Sequence, residues 1–66
     1  MKINLNGEIY NFAEKITIHD LLEKVQCTYS GFAVAVNRKV VAKSIYNQYW
    51  LTDDDKVEIV TAYQGG

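Results

Sequence analysis

The chain has 66 residues, 48% of them hydrophobic and 23% charged, with no proline, and this composition is typical of one small globular domain. A domain of about 60 residues buries only about 60% of the surface of its unfolded chain, which argues against a catalytic cleft enclosed by this chain alone. Seven basic and eight acidic side chains give a formal net charge of -1, so neither nucleic acid nor an anionic membrane surface is favoured as a partner.

The first predicted element is a β-hairpin. Residues 2–12 form two extended segments on either side of Asn6-Gly7, which is the favoured pair for a two-residue type I′ turn. A two-residue loop sets Leu5 opposite Glu8. Ile9 then falls on the face of the hairpin that points away from the core.

A helix is predicted next, because the apolar period changes from two to 3.6 residues. Its apolar stripe consists of Ile18, Leu21, Leu22 and Val25. The helix is expected to begin after Thr17, whose side chain can accept a hydrogen bond from the amide of Asp20, with Ile16 placed to form a hydrophobic staple. It is expected to end near Gln26 or Cys27.

The rest of the chain is predicted to be mostly extended. Residues 32–36 form a continuous apolar run typical of a strand inside a sheet, and residues 40–41 and 57–61 give two further strands. Residues 43–50 are predicted to be a loop with a single helical turn, and Asp53–Asp55 a solvated turn. The predicted fold class is therefore α+β, with a mixed sheet of four to five strands and one main helix packed across one face.

Few side chains carry chemistry of their own. Cys27 is the only cysteine, so an internal disulfide is excluded and a reducing cytoplasmic location is favoured. The thiol of Cys27 is interpreted as inert. His19 is predicted to lie in the solvated first turn of the helix. Asp53–Asp55 is too short for a calcium loop, so no metal site is expected. The longest apolar run, residues 32–36, is far shorter than the roughly 20 residues of a membrane helix.

Three aromatic residues lie outside the regular elements. Tyr46, Tyr49 and Trp50 are interpreted as candidates for a contact with a partner protein. A role in stacking nucleic-acid bases is disfavoured, because such platforms accompany a basic groove and this chain is slightly acidic.

The order of the elements resembles the β-grasp, or ubiquitin-like, fold, and within it the chain resembles the ThiS family of sulfur carriers in the thiazole branch of thiamine biosynthesis. The resemblance covers the whole chain. It is strongest at Asn6-Gly7, at residues 33–37 followed by 40–41, at residues 53–60, and at the terminal Gly65-Gly66. It implies a β-grasp domain at residues 1–62 and a flexible tail at residues 63–66.

Four positions depart from the pattern of the family. Asp54 stands where glycine is usual, Ala42 where proline is expected, Tyr46 where tryptophan is frequent, and Gln64 where a third glycine is common. Aspartate tolerates a left-handed backbone, so the first departure does not threaten the turn. None of the four changes Gly65-Gly66.

The resemblance implies that the chain is a carrier and not an enzyme, with the Gly66 carboxylate as its working group. In the family, a ThiF-type adenylyltransferase uses ATP to adenylate this carboxylate, and a cysteine-desulfurase-linked sulfur donor converts it to a thiocarboxylate. Thiazole synthase, ThiG, then takes the sulfur. No cofactor is bound by the carrier itself. Gly65 has no Cβ, which suits a tail that enters a narrow active site.

Docking is expected to use the small-residue face of the sheet. If the last strand alternates as predicted, this face includes side chains from two strands and continues into the tail. The residues expected to contact partners are Ala33, Ala35, Val60, Ala62, Tyr63 and Gln64. A register error of one residue would instead send the strand side chains into the core.

Other functions remain open at the level of sequence. A MoaD-like carrier that supplies sulfur to molybdopterin is disfavoured because such chains are usually longer. A non-covalent β-grasp binding module would be indifferent to deletion of Gly65-Gly66, and an autonomous enzyme is the alternative with least support. The glycine pair could also be a cloning remnant.

Overall fold

The computed structural model describes residues 1–25 and 32–61. Within these residues it contains five β-strands, one α-helix and one 3₁₀ turn. The elements are β1 (Lys2–Leu5), β2 (Glu8–Asn11), α1 (Ile18–Lys24), β3 (Phe32–Val36), β4 (Lys39–Val41), the 3₁₀ turn (Lys43–Ile45) and β5 (Lys56–Thr61). The predicted α+β class, with one helix and a mixed sheet, is confirmed.

The five strands form a single sheet in the order β2-β1-β5-β3-β4. β5 pairs in parallel with β1 and antiparallel with β3, while the remaining neighbours are antiparallel. β5, the last strand of the described residues, therefore lies at the centre of the sheet, where both of its edges are hydrogen-bonded. The segment that follows β5 thus starts from the central strand of the sheet.

Two tight turns connect the hairpins. In the first, Asn6 and Gly7 have φ of 51° and 88°, and the register places Leu5 opposite Glu8, as predicted. In the second, Asn37-Arg38 has φ of 51° and 73°. Positive φ at both central residues defines the type I′ turn, which matches the twist of the flanking strands.

The helix begins at the predicted residue, and its first turn is closed by a reciprocal pair of hydrogen bonds. Thr17 Oγ1 accepts from the backbone N–H of Asp20 at 3.1 Å, and Asp20 Oδ2 accepts from the backbone N–H of Thr17 at 3.1 Å. In the described residues α1 ends at Lys24. The predicted end at Gln26 or Cys27 lies outside the described residues.

The loop between β4 and β5 accepts hydrogen bonds from backbone N–H groups in the first turn of α1. The backbone N–H groups of Ile18 and His19 donate to the carbonyls of Tyr49 and Tyr46, each at 3.1 Å. This docking buries the Tyr46 ring, which is only 8% exposed. The interpretation of Tyr46 as a partner contact is therefore wrong, whereas Trp50 is 57% exposed.

The core lies between α1 and one face of the sheet. Ile16 and Leu21 occupy the two positions of the expected hydrophobic staple, and both are buried. The fully buried side chains come from the sheet, the helix and the loop alike. They are Ile3, Ile18, Leu21, Val34, Leu51 and Val57.

The acidic turn is solvated only in part. Asp53 and Asp54 are exposed, and Asp54 has the left-handed φ of 70°. Asp55 is buried, contrary to the expectation of a solvated turn. Its carboxylate accepts hydrogen bonds from the backbone N–H and the hydroxyl of Thr52 and from Asn37 Nδ2, at 2.8, 3.1 and 3.0 Å. Because these donors replace water, the buried charge is tolerated.

Candidate docking face and carrier tail

The face of the sheet opposite α1 carries an apolar patch. We call this side of β3, β4 and β5 the open face. It is defined by the outward side chains of Ala33, Ala35, Val40, Glu58 and Val60. Val60 is 58% exposed and pairs with Ala33, and Val40 is 76% exposed and pairs with Ala35. Two small side chains thus lie between two exposed valines, and Glu58 lies beside Ala35.

Alternation along the strands explains why these residues point outward. In β3, Val34 and Val36 are buried, so Ala33 and Ala35 face the other way. In β5 Val57 is buried, so by the same alternation Glu58 and Val60 face outward. The register alternative that would have placed Val60 in the core is therefore excluded, and the positions predicted for Ala33, Ala35 and Val60 on the open face are those observed.

Val40 and Glu58 are the residues of this face that the sequence analysis did not name, and Val40 is the apolar one. A signal was present, because a two-residue turn at Asn37-Arg38 fixes Ala35 opposite Val40 by the same rule that fixed the first hairpin. Recognising the second type I′ turn would have assigned Val40 to the open face.

The open face ends in a cationic cavity at the start of β5. The cavity has a volume of about 270 Å³ and is lined by Asn4, Gly7, Arg38, Lys56, Val57 and Glu58. Asn4 and Lys56 are direct neighbours in the parallel pairing of β1 and β5. The patch around Val60 lies at the opposite end of the same strand, so β5 connects the cavity with the beginning of the tail.

The predicted tail lies beyond the described residues. Ala62, Tyr63, Gln64, Gly65 and Gly66 are all outside them, so their expected roles stay predictions. Five residues beyond Thr61 span at most about 18 Å when fully extended. The predicted tail, residues 63–66, accounts for at most about 14 Å of this span.

The remaining candidate residues do not assemble into a catalytic site. His19 Nε2 lies 3.4 Å from Glu23 on the exposed side of α1. The backbone hydrogen bond from Thr17 holds the pKa of the Asp20 carboxyl below its usual value, which is a property of the helix cap. Among residues 1–25 and 32–61, no three His, Cys, Asp or Glu side chains are grouped to hold a metal ion. Cys27 lies outside the described residues.

Within the same described ranges, no helix has the length and apolar character needed to cross a membrane.

The comparison with known families covers nearly the whole chain. The sequence model of the ThiS family matches residues 3–66, which include Gly65-Gly66. This chain belongs to the ThiS family. The resemblance inferred from the order of elements and the glycine pair is confirmed.

Two curated relatives differ in how much of their own length the match covers. The sulfur carrier protein ThiS of Escherichia coli is 29% identical over 66 residues, and the match spans the full length of both chains. A thiazole synthase of Paramagnetospirillum magneticum is 39% identical over 66 residues, which are all of this chain and 20% of that protein. The ThiS family chain thus spans about a fifth of the length of that relative.

A solved structure supports the fold of this ThiS family member. The crystal structure of the thiamine biosynthesis protein ThiS from Geobacter metallireducens superimposes with a TM-score of 0.87 over the full length of both chains, at 23% identity. The five-stranded mixed sheet with one helix is shared, and the predicted β-grasp fold is confirmed.

Proposed function

We propose that this chain is a sulfur carrier of thiamine biosynthesis and that the Gly66 carboxylate carries the sulfur. The observation that carries the proposal is the ThiS family match, which runs through residue 66 and includes the glycine pair. The central position of β5 supports it, because a tail that leaves the middle of the sheet is presented from a rigid base.

The chemistry follows from the ionisation of a terminal carboxyl. Its ordinary pKa of about 3.3 to 3.7 makes it an anion at neutral pH, which is a nucleophile and a poor electrophile. In the proposed sequence the carboxylate attacks the α-phosphorus of ATP in a ThiF-type adenylyltransferase, and pyrophosphate leaves. The terminal sulfur of a persulfide on a cysteine-desulfurase-linked donor then attacks the acyl carbon, and AMP leaves. A thiol next attacks the donor sulfur of the resulting acyl disulfide, and the donor is released as a disulfide with that thiol. Gly66 is left as a thiocarboxylate.

The proposed recipient is a thiazole synthase of the ThiG type. A segment matching all 66 residues of this chain is part of a relative whose name is thiazole synthase. Such a carrier segment within the same polypeptide supports a working partnership of the two. A MoaD-like role in molybdopterin synthesis is the alternative, and it is distinguished by whether ThiG or the large subunit of molybdopterin synthase co-purifies with the chain.

We assign the docking of the adenylyltransferase to the open face. Val60 and Val40 supply exposed apolar surface. Because Ala33 and Ala35 are small, they leave room for a side chain of the partner between the two valines. Ala62, Tyr63 and Gln64 are proposed to continue this contact towards the active site of the partner.

Deletion of the glycine pair in cells tests the proposal. Cells that lack their own copy of this chain are supplied with either the full chain or a chain without Gly65-Gly66, and growth without thiamine is measured. We expect growth only with the full chain. Far-UV circular dichroism of both purified chains checks that the shortened chain is folded. Equal growth with a folded, shortened chain would contradict the carrier function and favour a non-covalent binding module.

A further inference from the structure

The cationic cavity at the start of β5 is not explained by the fold. Arg38 has φ of 73° in a type I′ turn, a conformation that favours glycine or asparagine. Arginine offers the turn no conformational advantage there. Lys56 enters the ladder through its backbone, which accepts from Asn37 N at 2.7 Å and donates to Asn37 Oδ1 at 3.0 Å. Its charged side chain is not needed for those bonds.

Both cations lack an ionic partner within the described part of the chain. The ion pairs found there join Lys2 to Asp54 at 3.5 Å and His19 to Glu23 at 3.4 Å. Glu58 lines the same cavity but forms no ion pair with either cation among these residues. Two positive side chains therefore converge on a space of about 270 Å³ in a molecule whose net charge is -1.

A protein carboxylate is the anion that this cavity suits. A guanidinium presents a planar fork that pairs with a carboxylate through two hydrogen bonds, and the lysine adds a second donor. Nucleic acid is disfavoured, because no aromatic ring lines the cavity and the chain is acidic overall. The expected occupant is an Asp or Glu side chain on the surface of a partner.

The distance along β5 identifies which partner is in reach. Lys56 and Val60 are four residues apart on one strand, about 13 Å. A typical interface covers about 800 Å² per partner and is thus roughly 30 Å across. A protein that covers the open face beside Val60, in order to receive the tail, therefore also covers the cavity.

We propose that Arg38 and Lys56 bind a carboxylate of the activating adenylyltransferase and so anchor it at the end of the open face farthest from the tail. This inference rests on the proposed function. The two charges act on association and not on the reaction at Gly66, so they lower KM and leave kcat unchanged. Their effect is screened by salt, since the Debye length falls from about 30 Å at 0.01 M to about 8 Å at 0.15 M.

Charge reversal with a matched control tests the anchor. The rate of pyrophosphate release by the cognate adenylyltransferase with ATP is measured against carrier concentration, at about 0.01 M and about 0.5 M salt. The reversal variant is Arg38→Glu/Lys56→Glu. The control is Lys15→Glu/Lys24→Glu, which changes the net charge equally but lies on the helix side of the molecule. A neutralising variant, Arg38→Asn/Lys56→Gln, keeps a residue at position 38 that accepts a left-handed backbone.

We expect the reversal to lower kcat/KM at least about tenfold at low salt, with kcat unchanged and the loss reduced at high salt. The neutralising variant should give an intermediate loss, and the control should stay within about twofold of the natural chain. Reversal and control variants with equal kcat/KM would overturn the anchor. Self-association of the natural chain would also overturn the anchor if sedimentation showed it and the reversal variant abolished it. The two cations would then bind a second copy of the chain. Failure of the natural chain to be adenylated at all would overturn the proposed function as well.

Discussion

At the scale of single residues, Asn6 combines two roles that belong to different parts of the chain. Its φ of 51° forms the first turn, and its Oδ1 accepts a hydrogen bond from the backbone N–H of Ile59 at 2.8 Å. The turn was predictable from the pair Asn6-Gly7. The bond to Ile59 was not, because it joins residues 53 positions apart that only the completed sheet brings together.

Replacing Asn6 separates these roles. Asn6→Gly keeps the left-handed backbone and leaves the amide of Ile59 without its acceptor, so we expect a loss of about 1 kcal/mol in the free energy of unfolding. Asn6→Ala adds the strain of positive φ, for a total loss of about 2 kcal/mol. Asn6→Asp retains both features and is the control, with an expected loss under about 1 kcal/mol. Urea unfolding followed by circular dichroism measures all three, and equal losses for the three variants would contradict this assignment.

Asp55 and Asp54 are adjacent carboxylates with opposite surroundings. Asp55→Asn replaces one carboxylate oxygen by an NH2 group, so at least one donor of Thr52 or Asn37 loses its acceptor, and we expect a loss of about 1–3 kcal/mol in the free energy of unfolding. Asp54→Asn keeps a residue that tolerates φ of 70° and removes only an exposed ion pair, for a loss of at most about 1 kcal/mol. The urea midpoints of the two variants give the comparison. A larger loss for Asp54→Asn would show that the exposed turn, and not the buried network, stabilises the start of β5.

At the scale of elements, the cap of α1 predicts a dependence of stability on pH. The hydrogen bond from the backbone N–H of Thr17 lowers the pKa of Asp20 in the folded chain. A carboxyl whose folded pKa lies below its unfolded value, about 3.9, stabilises the fold above the unfolded pKa. That stabilisation is lost as the pH falls through the folded pKa.

Asp20→Asn should therefore lower the urea midpoint above about pH 5 and converge with the natural chain as the pH falls through the lowered pKa of Asp20. Glu14→Gln, which removes one exposed carboxylate outside the helix, is the control. A difference between Asp20→Asn and the natural chain that stayed constant down to acid pH would contradict the role of ionised Asp20 in the cap. Thr17→Ala removes the other half of the cap and should cost about 1 kcal/mol.

The alternation of buried and exposed side chains along β5 leads to a second prediction at this scale. Val60→Asp places a charge on the open face, so the chain should fold and lose at least about tenfold in kcat/KM for adenylation. Val34→Asp makes the same chemical change at a fully buried position of the neighbouring strand, and we expect that chain to unfold. Circular dichroism and the adenylation rate measure both effects. A folded Val60→Asp chain with the natural rate would exclude the open face as the docking surface.

Local sequence patterns predicted the helix and strands better than they predicted which strands pair with each other. The hairpin, the start of α1 and β3 each follow from a period or a cap within a few residues, and all three were found. The placement of β5 between β1 and β3 depends on pairing between distant segments, which no local period encodes.

The burial of Tyr46 and Asp55 also depends on distant contacts. The loop that carries Tyr46 docks on the helix N-terminus, and Asp55 is bonded to Asn37 from the second hairpin. Part of the candidate docking face was nevertheless predictable, because alternation in residues 32–36 fixes which side chains face outward. Val40 needed the second turn to be recognised as well.

At the scale of the whole molecule, one strand links everything that the proposed function requires. β5 is held on both edges, contributes Val57 to the core and Val60 to the open face, and leads towards the glycine pair. A domain this small buries its core on a single face of the sheet. The other face is thereby exposed, and the proposed function assigns recognition to that face and the chemistry to the end of the chain.

The most direct test of this account is the intact mass of the chain after incubation with its adenylyltransferase, ATP and the sulfur-donor system. Replacement of one oxygen by sulfur adds about 16 Da, and fragmentation should place the added mass on Gly66. The account predicts this gain in the natural chain and its absence in a chain without Gly65-Gly66. An unchanged mass in the natural chain, or a gain located on any other residue, would contradict it.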